Sequence, residues 1–314
     1  MNAVAEPSHA PGLERVEPQL RELVALAGAA RALPGFSRPM RARHSGQYLS
    51  RLRGRGMEYD ESRPYQPGDD IRQLDWRVTA RTGRPHTKLF REERERPVFL
   101  CVDYRHGMFF ATQGVFKSVQ AARLAALLAW RAQQNGDRVG GLVFGDHEHH
   151  ELAPRRGQPA CLRLFKQLVE AGRDWRRAPP EPASGSVLRE AFVRLRRLAK
   201  PGSLVFLLSD FRDLDDAAAS ELARLAAHSD VALLTLHDAL EAEFPRLDAA
   251  GTLTDRRETL RLAGVPARNR EAYAARFAAR NERLAALARD HRMLLEGVAT
   301  TDDPLGALLR MLAR

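Results

Sequence analysis

Short apolar runs alternate with amphipathic helical segments along most of the chain. The predicted strands cover residues 98–102, 139–144, 149–152, 204–208, 231–236 and 292–296. Helices are predicted at residues 116–134, 161–170, 187–199 and 268–290, after Asp213 and after Asp303-Pro304. Strands that alternate with helices predict an α/β fold with a doubly wound, mostly parallel sheet.

The rest of the chain departs from this alternation. Residues 11–32 predict one amphipathic helix, whereas residues 33–60 show little periodicity. Residues 244–262 are polar and predict a β-hairpin insertion around Ala250-Gly251. Three regions follow: an N-terminal helix and tail (1–35), a smaller basic subdomain (36–96) and the α/β domain (97–314), with the hairpin insertion near 244–262.

The distribution of charge makes the basic subdomain a candidate binding surface. The chain carries a net charge of +10, and residues 31–96 hold 16 Lys and Arg against 9 Asp and Glu, which gives +7. Such a block can meet nucleic acid, anionic lipid or an acidic protein face. Arginine alternates with glutamate over residues 91–96, as is typical of surface ion pairs, and few aromatic residues are available for base stacking. Nucleic-acid binding through residues 31–96 is therefore the alternative rather than the leading interpretation.

Three features favour a reduced, cytoplasmic protein. No apolar run approaches the roughly 20 residues that a membrane-spanning helix needs. The first residues carry Glu6, Glu14 and Glu17 instead of a basic segment before an apolar block, so no secretory signal is predicted. Cys101 and Cys161 neither require a disulfide nor match a zinc spacing.

Candidate chemistry gathers where predicted strands end. Asp103 follows the first strand and Asp210 the fourth, and ligands of such sheets bind at the carboxyl ends of the strands. A hydroxyl-bearing loop at residues 184–186 precedes the helix that leads into the fourth strand. Carboxylates with hydroxyls suit Mg²⁺ or Mn²⁺. Strand-end carboxylates also cap adjacent loops, so the pattern alone leaves both interpretations open.

Catalytic motifs are missing from the sequence. It contains no phosphate-binding P-loop, no Gly-x-Ser-x-Gly elbow and no His-Glu-x-x-His helix. His147, His149 and His150 could bind a transition metal, although an exposed turn explains them more simply. Cys101 lies within an apolar run and fits a small core residue better than a nucleophile. A metal-dependent hydrolase lacks a base–nucleophile pair here, and we expect no enzyme.

Two segments resemble a known family. "GRGMEYDESRPYQPGDDIRQLDWRVTARTG" and "KLFREERERPVFLCVD" are similar to the bacterial domain-of-unknown-function 58 family, over roughly residues 43–240 and most specifically over 54–103. The resemblance implies a von Willebrand A-like, Rossmann-type domain, with "FKSVQAARLAALLAW" as its first helix and "GDRVGGLVF" as its second strand. Family members accompany MoxR-type AAA+ ATPases. The resemblance therefore implies a non-catalytic adaptor that serves such an ATPase in chaperone-like remodelling or maturation of a client protein.

The wider superfamily also implies a candidate site. Its metal-ion-dependent adhesion site has the pattern Asp-x-Ser-x-Ser, a later Thr and an Asp after the fourth strand; these positions read Asp103, Arg105, Gly107, Ser186 and Asp210. Both serines are missing, and a permanent cation takes the place of one of them. The hypothesis is that Arg105 lies between Asp103 and Asp210 as an internal replacement for the ion, and that a carboxylate of the ATPase or client pairs with Arg105 or with the nearby loops. No cofactor is expected; Mg²⁺ or Mn²⁺, if bound, would use Asp103, Ser186 and Asp210.

Trp76 is the remaining candidate. It lies in the charged segment "QLDWRVTAR", where a lone aromatic residue either anchors a partner or fixes the subdomain to the α/β domain. The candidates for contact with a partner are Arg72, Asp75, Trp76 and Arg77.

Overall fold

A computed structural model describes residues 12–36, 57–66, 69–92, 96–174, 185–242, 252–254, 259–261 and 267–313. The chain divides into two compact units, a larger one with residues 1–44 and 96–314 and a smaller one with residues 45–95. The strands are β1 (Met57–Pro64), β2 (His86–Glu92), β3 (Pro97–Asp103), β4 (Arg138–Phe144), β5 (His149–Arg155), β6 (Leu204–Ser209), β7 (Asp230–His237), β8 (Thr252–Thr254), β9 (Thr259–Arg261) and β10 (Leu294–Ala299). The helices are α1 (Leu13–Val16), α2 (Leu20–Ala25), α3 (Trp76–Thr82), α4 (Lys117–Gln134), α5 (Gln158–Asp174), α6 (Gly185–Leu198), α7 (Asp216–His228), α8 (Ala239–Ala242), α9 (Ala267–Asp290) and α10 (Pro304–Leu312).

A six-stranded sheet with the order β10-β7-β6-β3-β4-β5 forms the centre of the larger unit. Every neighbouring pair is parallel except β4–β5. Side chains of a strand alternate between faces, so Val98, Leu100 and Val102 enter one hydrophobic cluster while Phe99 and Cys101 enter the other. The predicted α/β fold with a mostly parallel sheet is confirmed.

Helices cover both faces of this sheet. One cluster contains buried residues of α4, α5 and α10, and the other contains residues of α6, α7 and α9. α4 is buried over most of its 18 residues, because it lies beneath α5, α10 and the N-terminal segment. Among the described residues, no helix has both the length and the apolar character needed to cross a bilayer.

The N-terminal segment differs from the single helix predicted over residues 11–32. It forms α1, α2 and a short 3-10 helix, Ala29–Ala32. Pro18 separates α1 from α2, since proline lacks a backbone N–H and disfavours a helical residue before it. Leu23 is fully buried, and Trp130 Nε1 of α4 donates to its carbonyl over 2.9 Å. Residues 12–36 therefore pack into the core of the larger unit.

One predicted boundary also shifts. The last strand starts at Leu294 rather than at Arg292, because Arg292 adopts a φ of 54° in the turn after α9. In the inserted hairpin β8 and β9 are antiparallel, and Thr254 pairs with Thr259. The turn predicted at Ala250-Gly251 lies outside the described residues.

The smaller unit contains the antiparallel pair β1–β2 and the short helix α3. Asp75 caps α3, accepting the N–H groups of Arg77 and Val78 over 3.1 Å each and the Ser62 hydroxyl over 2.6 Å. These bonds, that of Ser62 first, lower the pKa of Asp75. Gly83, at a φ of 70°, ends the helix in the left-handed conformation that glycine tolerates. This segment thus owes its shape to local caps.

Candidate functional site

The candidate site lies where the chain order of the strands reverses across the sheet. β3 has β4, the next strand in the chain, on one side and β6 on the other. Ligands of open α/β sheets bind at the carboxyl ends of the strands at such a point. The Ser209 hydroxyl at the end of β6 donates to Asp103 Oδ2 at the end of β3 over 2.6 Å. Asp210 follows Ser209 directly, so the structure brings both predicted carboxylates to one edge.

Arg105 bridges these two carboxylates. Its Nη2 donates to Asp103 Oδ2 over 2.8 Å and lies 3.5 Å from Asp210 Oδ1, and its Nε lies 3.1 Å from both Asp103 oxygens. Nη1 donates to the Arg212 carbonyl over 3.2 Å and lies 3.7 Å from Asp213 Oδ2. Burial alone would lower the pKa of Arg105, but Asp103 and then Asp210 outweigh it and raise the pKa. Its donors are therefore engaged within the chain.

Lys117 supplies a second buried cation, which the sequence pattern did not reveal. Its Nζ donates to Asp210 Oδ2 over 3.0 Å and to Glu241 Oε1 over 2.8 Å, and its side chain is fully buried. Lys117 opens α4, where the helix dipole disfavours a cation. A lysine at the start of a largely apolar helix is the signal that could have pointed to it.

Glu241 and Arg212 complete the group. Glu241 lies on α8 and accepts a hydrogen bond from Arg212 Nη2, while Arg212 Nε lies 3.6 Å from Asp210 Oδ2. The backbone N–H of Asp238 donates to the second Glu241 oxygen over 3.1 Å. Neither Glu241 nor Arg212 was a sequence candidate, because their approach depends on how β6 and β7 end side by side.

Cations hold Asp210 in its ionised form. Burial by itself would raise the pKa of Asp210, but Lys117 first, then Arg105 and Arg212, lower it below its usual value. The N–H of Arg212 also donates to Asp210 Oδ1 over 3.1 Å. The buried carboxylate therefore keeps its charge at neutral pH.

The charges of the group cancel. Three carboxylates and three cations form what we call the ion-pair cluster: Asp103, Asp210, Glu241, Arg105, Lys117 and Arg212. A buried charge without a partner is costly, whereas a paired and hydrogen-bonded charge is tolerated. Among the described residues no group of three or more His, Cys, Asp or Glu is arranged to hold a metal ion.

Gly107 allows the chain to approach Asp210 closely. A Cβ atom added at Gly107 would lie 2.9 Å from Asp210 Oδ2. Ordinary contacts of a Cβ atom are longer, so a serine at this position would displace either the 3-10 helix His106–Met108 or the carboxylate. Glycine here thus fits a site in which Asp210 faces cations of the chain itself.

The loop of residues 210–215, here called the rim loop, carries the exposed part of the site. Phe211 and Asp213 adopt positive φ angles of 48° and 63°, a rare conformation for residues other than glycine. Phe211 is buried in the core, and the hydroxyl of Ser209 accepts its N–H over 2.9 Å. The side chains of Arg212 and Asp213 remain 43% and 38% exposed, against 8% for Arg105. Asp215 is exposed too but caps α7 by accepting the Ala218 N–H, so Arg212 and Asp213 are the rim residues next to the buried carboxylates that can meet a partner without rearrangement.

Two further carboxylates fix the loop that follows β3. Asp238 accepts the N–H and hydroxyl of Thr112 over 2.9 and 2.6 Å and the Thr300 hydroxyl over 2.9 Å. Burial by itself would raise the pKa of Asp238, but the hydrogen bonds, those from Thr112 foremost, lower it. Asp146 accepts the His106 N–H over 2.7 Å, and burial raises its pKa. The loop is thus held from both sides of the site.

The other predicted residues fall elsewhere. Ser186 lies in the first turn of α6, and its side chain is outside the described residues. His147 and His149 are exposed, whereas His150 is half-buried and 3.7 Å from Glu148. Cys101 is buried in β3, and burial raises the pKa of its thiol.

The candidates for partner contact in the smaller unit divide into two groups. Arg72, Trp76 and Arg77 are exposed. Asp75 is buried, because it caps α3 and binds Ser62, so its part is structural rather than partner-facing.

Comparisons with known proteins place these observations in a family. An uncharacterized protein, Rv1480, of Mycobacterium tuberculosis is 30% identical over 203 residues, which cover 64% of this chain and 61% of that relative. Its Mycobacterium bovis counterpart, Mb1516, shows the same values. The chain thus matches less than two thirds of the length of these relatives.

Two solved structures are similar at lower levels. The conserved hypothetical protein BatB from Bacteroides thetaiotaomicron is 15% identical with a TM-score of 0.41, covering 69% of this chain and 97% of that chain. An aerotolerance-related membrane protein from Bacteroides fragilis is 14% identical with a TM-score of 0.44, covering 69% and 98%.

Fold and site together define a class of protein: an α/β protein in which ion pairs between its own side chains occupy the carboxyl ends of the central strands. The family described as "Protein of unknown function DUF58" matches residues 61–283, well over half of the chain. The chain belongs to the DUF58 family, as the resemblance of its sequence indicated.

Proposed function

We propose that this chain is a non-catalytic adaptor with a von Willebrand A-like domain, and that it works with a MoxR-type AAA+ ATPase on client proteins. The sheet order supports the domain type, because the six strands of the central sheet, numbered along the chain, lie in the order 3-2-1-4-5-6 of a doubly wound sheet. The position of the cluster beyond β3 and β6 supports an adhesion-type site at that edge.

The ion-pair cluster is the observation that carries the proposal. Arg105 and Lys117 contact the carboxylates of Asp103, Asp210 and Glu241, so the charge a divalent cation would supply comes from the chain itself. These carboxylates and cations are committed to each other, which leaves them poorly suited to act as a general base or nucleophile. The arrangement therefore favours binding over catalysis.

Recognition then falls to the rim loop. The partner carboxylate was expected at Arg105 or at the nearby loops, and because the Arg105 side chain is only 8% exposed, Arg212 of the rim loop is the better match. The Arg212 side chain is 43% exposed, so its guanidinium can receive a partner carboxylate from the solvent side while Nη2 stays bonded to Glu241 and Nε stays beside Asp210. We infer that the ATPase or its client presents an acidic side chain to Arg212, and a donor to the half-exposed Asp213.

The test measures binding of the full chain to the purified MoxR-type ATPase of the same organism, with and without ATP. Arg212→Ala is expected to weaken binding by about tenfold or more, as for loss of a charged hydrogen-bonded contact. Arg224→Ala is the matched control, because Arg224 is 64% exposed on α7 and paired with Glu221. Equal affinity of Arg212→Ala and the native chain would remove the rim loop from the interface.

The same preparation separates the competing functions. Affinity for an oligonucleotide that falls steeply with salt would support the nucleic-acid alternative instead. Titration with Mg²⁺ and Mn²⁺ tests the replacement of the ion by Arg105. A stoichiometric metal site that disappears in Asp103→Ala would contradict that replacement.

A further inference from the structure

The smaller unit exposes two large apolar side chains on one short segment. Ile71 is 65% exposed and Trp76 is 69% exposed, and Leu309 at 38% is the next such residue in the described part of the chain. Trp76 is the first residue of α3, and Ile71 opens the 3-10 helix just before it. Exposed tryptophan is costly in water and is enriched at the energetic centres of interfaces.

The same segment carries four arginines. Arg72, Arg77, Arg81 and Arg84 are all exposed, and within the described residues none of their side chains forms an ion pair. Arg77 and Arg81 are four residues apart on α3, so two like charges share one helix face, which destabilises an isolated helix. Such a pair is stabilised when acidic groups from outside approach it.

The acidic residues of the same segment are already in use. The Asp75 carboxylate is buried at the start of α3, and Asp69 pairs with Arg63 over 2.6 Å. Asp70 accepts the N–H of Arg72 over 3.0 Å. The N-terminus of α3 is thus capped by the chain itself, and the guanidinium groups are the cationic surface that remains.

We propose that residues 71–84, here called the tryptophan segment, bind an acidic protein segment that also carries apolar side chains. The apolar residues of the partner would cover Trp76 and Ile71, and its carboxylates would pair with Arg77 and Arg81. This surface is independent of the rim loop.

Protein fits this surface better than nucleic acid. Base stacking would use Trp76 but leaves the aliphatic Ile71 without a role, and the exposed Asp70 would repel phosphates. Salt bridges to protein carboxylates tolerate a nearby aspartate more readily, because the positions of carboxylates in a peptide vary with its sequence, whereas every nucleotide carries a phosphate.

A photocrosslinking experiment in living cells tests the occupant. p-Benzoylphenylalanine replaces Trp76 in the full chain, and in a control chain it replaces Leu309. The proposal expects crosslinks from position 76, absent from position 309, to peptides of another protein that are rich in Asp or Glu and contain apolar residues. Crosslinks to nucleic acid, to the chain's own larger unit alone, or no crosslink at all would overturn it.

A binding assay with defined probes supplies the second measurement. A fluorescein-labelled peptide that alternates glutamate with leucine is titrated with the full chain, beside a glutamate–serine peptide, a lysine–leucine peptide and a single-stranded oligonucleotide. The glutamate–leucine peptide should bind most tightly, with Trp76→Ala and the double variant Arg77→Ala/Arg81→Ala each weakening it by about tenfold. Arg189→Ala removes one exposed charge from α6 and should change nothing.

The remaining outcomes are equally decisive. Unchanged binding by Trp76→Ala, or tightest binding of the oligonucleotide, would refute the tryptophan segment as a protein-binding surface. Arg212→Ala should leave binding of the peptide unaltered, so a failure here is distinguishable from a failure of the rim-loop proposal.

Discussion

Single side chains decide the chemistry of the site. The Lys117 ammonium is fully buried, and two carboxylates compensate its charge. Buried ion pairs contribute little net stability compared with apolar packing, yet breaking one is costly because the other charge stays buried.

Lys117→Met is therefore expected to lower the free energy of unfolding by about 3–5 kcal/mol, since Asp210 and Glu241 lose their shared cation. Urea denaturation measures the change. Lys166→Met, at an exposed position of α5, is the control and should stay within about 0.5 kcal/mol of the native chain. A loss as small as that of the control would mean that the cluster carries no buried charge.

The lowered pKa of Asp210 predicts how the stability of the chain depends on pH. Lys117, Arg105 and Arg212 overcome burial and lower its pKa in the folded chain, so its stabilising effect is present above the unfolded pKa of about 3.9 and is lost as pH falls below that value. The urea midpoint of the native chain should fall on acidification from about pH 5 to about pH 2.

Asp210→Asn should have a lower urea midpoint than the native chain at neutral pH. Its midpoint should fall less on acidification, because the carboxylate that titrates is missing. Asp290→Asn, at an exposed site of α9, should keep the native slope. If the urea midpoint of Asp210→Asn fell on acidification as steeply as that of the native chain, the pH dependence would belong to other groups.

At the level of elements, close approach between loops shapes the cluster. The 3-10 helix His106–Met108 approaches the end of β6 so closely that a Cβ atom at Gly107 would force the helix or the Asp210 carboxylate to shift. The rim loop accepts two positive φ angles next to it, a strain of the kind that binding sites retain.

Gly107→Ala should cost about 1–3 kcal/mol of unfolding free energy, because its Cβ would lie 2.9 Å from Asp210 Oδ2. Gly28→Ala is matched to it: no atom lies within 4 Å of the added Cβ, and the φ of −66° suits alanine. Thermal unfolding of both variants compares them. A neutral Gly107→Ala would show that the helix and the carboxylate are less closely packed.

At the scale of the whole molecule, residues 12–36 form part of the hydrophobic core of the larger unit. Residues 12–36 lie far from α4 in the chain, yet Leu23 and Phe36 belong to the same core as Phe206, whose ring centre is 5.5 Å from that of Phe36. A segment that contributes to the core should unfold together with it.

Leu23→Ala should therefore lower the free energy of unfolding by about 2–5 kcal/mol while keeping a single transition for the larger unit. Arg21→Ala, exposed on α2, provides the comparison. Far-UV circular dichroism follows the loss of secondary structure, and tryptophan fluorescence, to which the buried Trp130 contributes, follows the opening of the core around α4. Two separate transitions would show that residues 12–36 are an appendage.

Local patterns were enough to predict much of this protein. The continuous apolar run of β3 and the helical spacing of apolar residues in α4 are local patterns, so the α/β class and most elements could be predicted from the sequence. Asp103 and Asp210 were identifiable because the ends of buried strands mark the binding edge of such sheets. The single helix expected at residues 11–32 failed because packing against α4, together with Pro18, overrode its periodicity.

Only the tertiary structure decided which charges meet. Lys117 reaches Asp210 and Glu241 across separations of 93 and 124 residues, and no local pattern encodes such a pairing. It arises because β3, β6 and β7 lie side by side and bring their carboxyl ends to one edge. The burial of Arg105 and the exposure of Arg212 depend in the same way on loops from different strands, since solvent access is set by everything packed around a side chain.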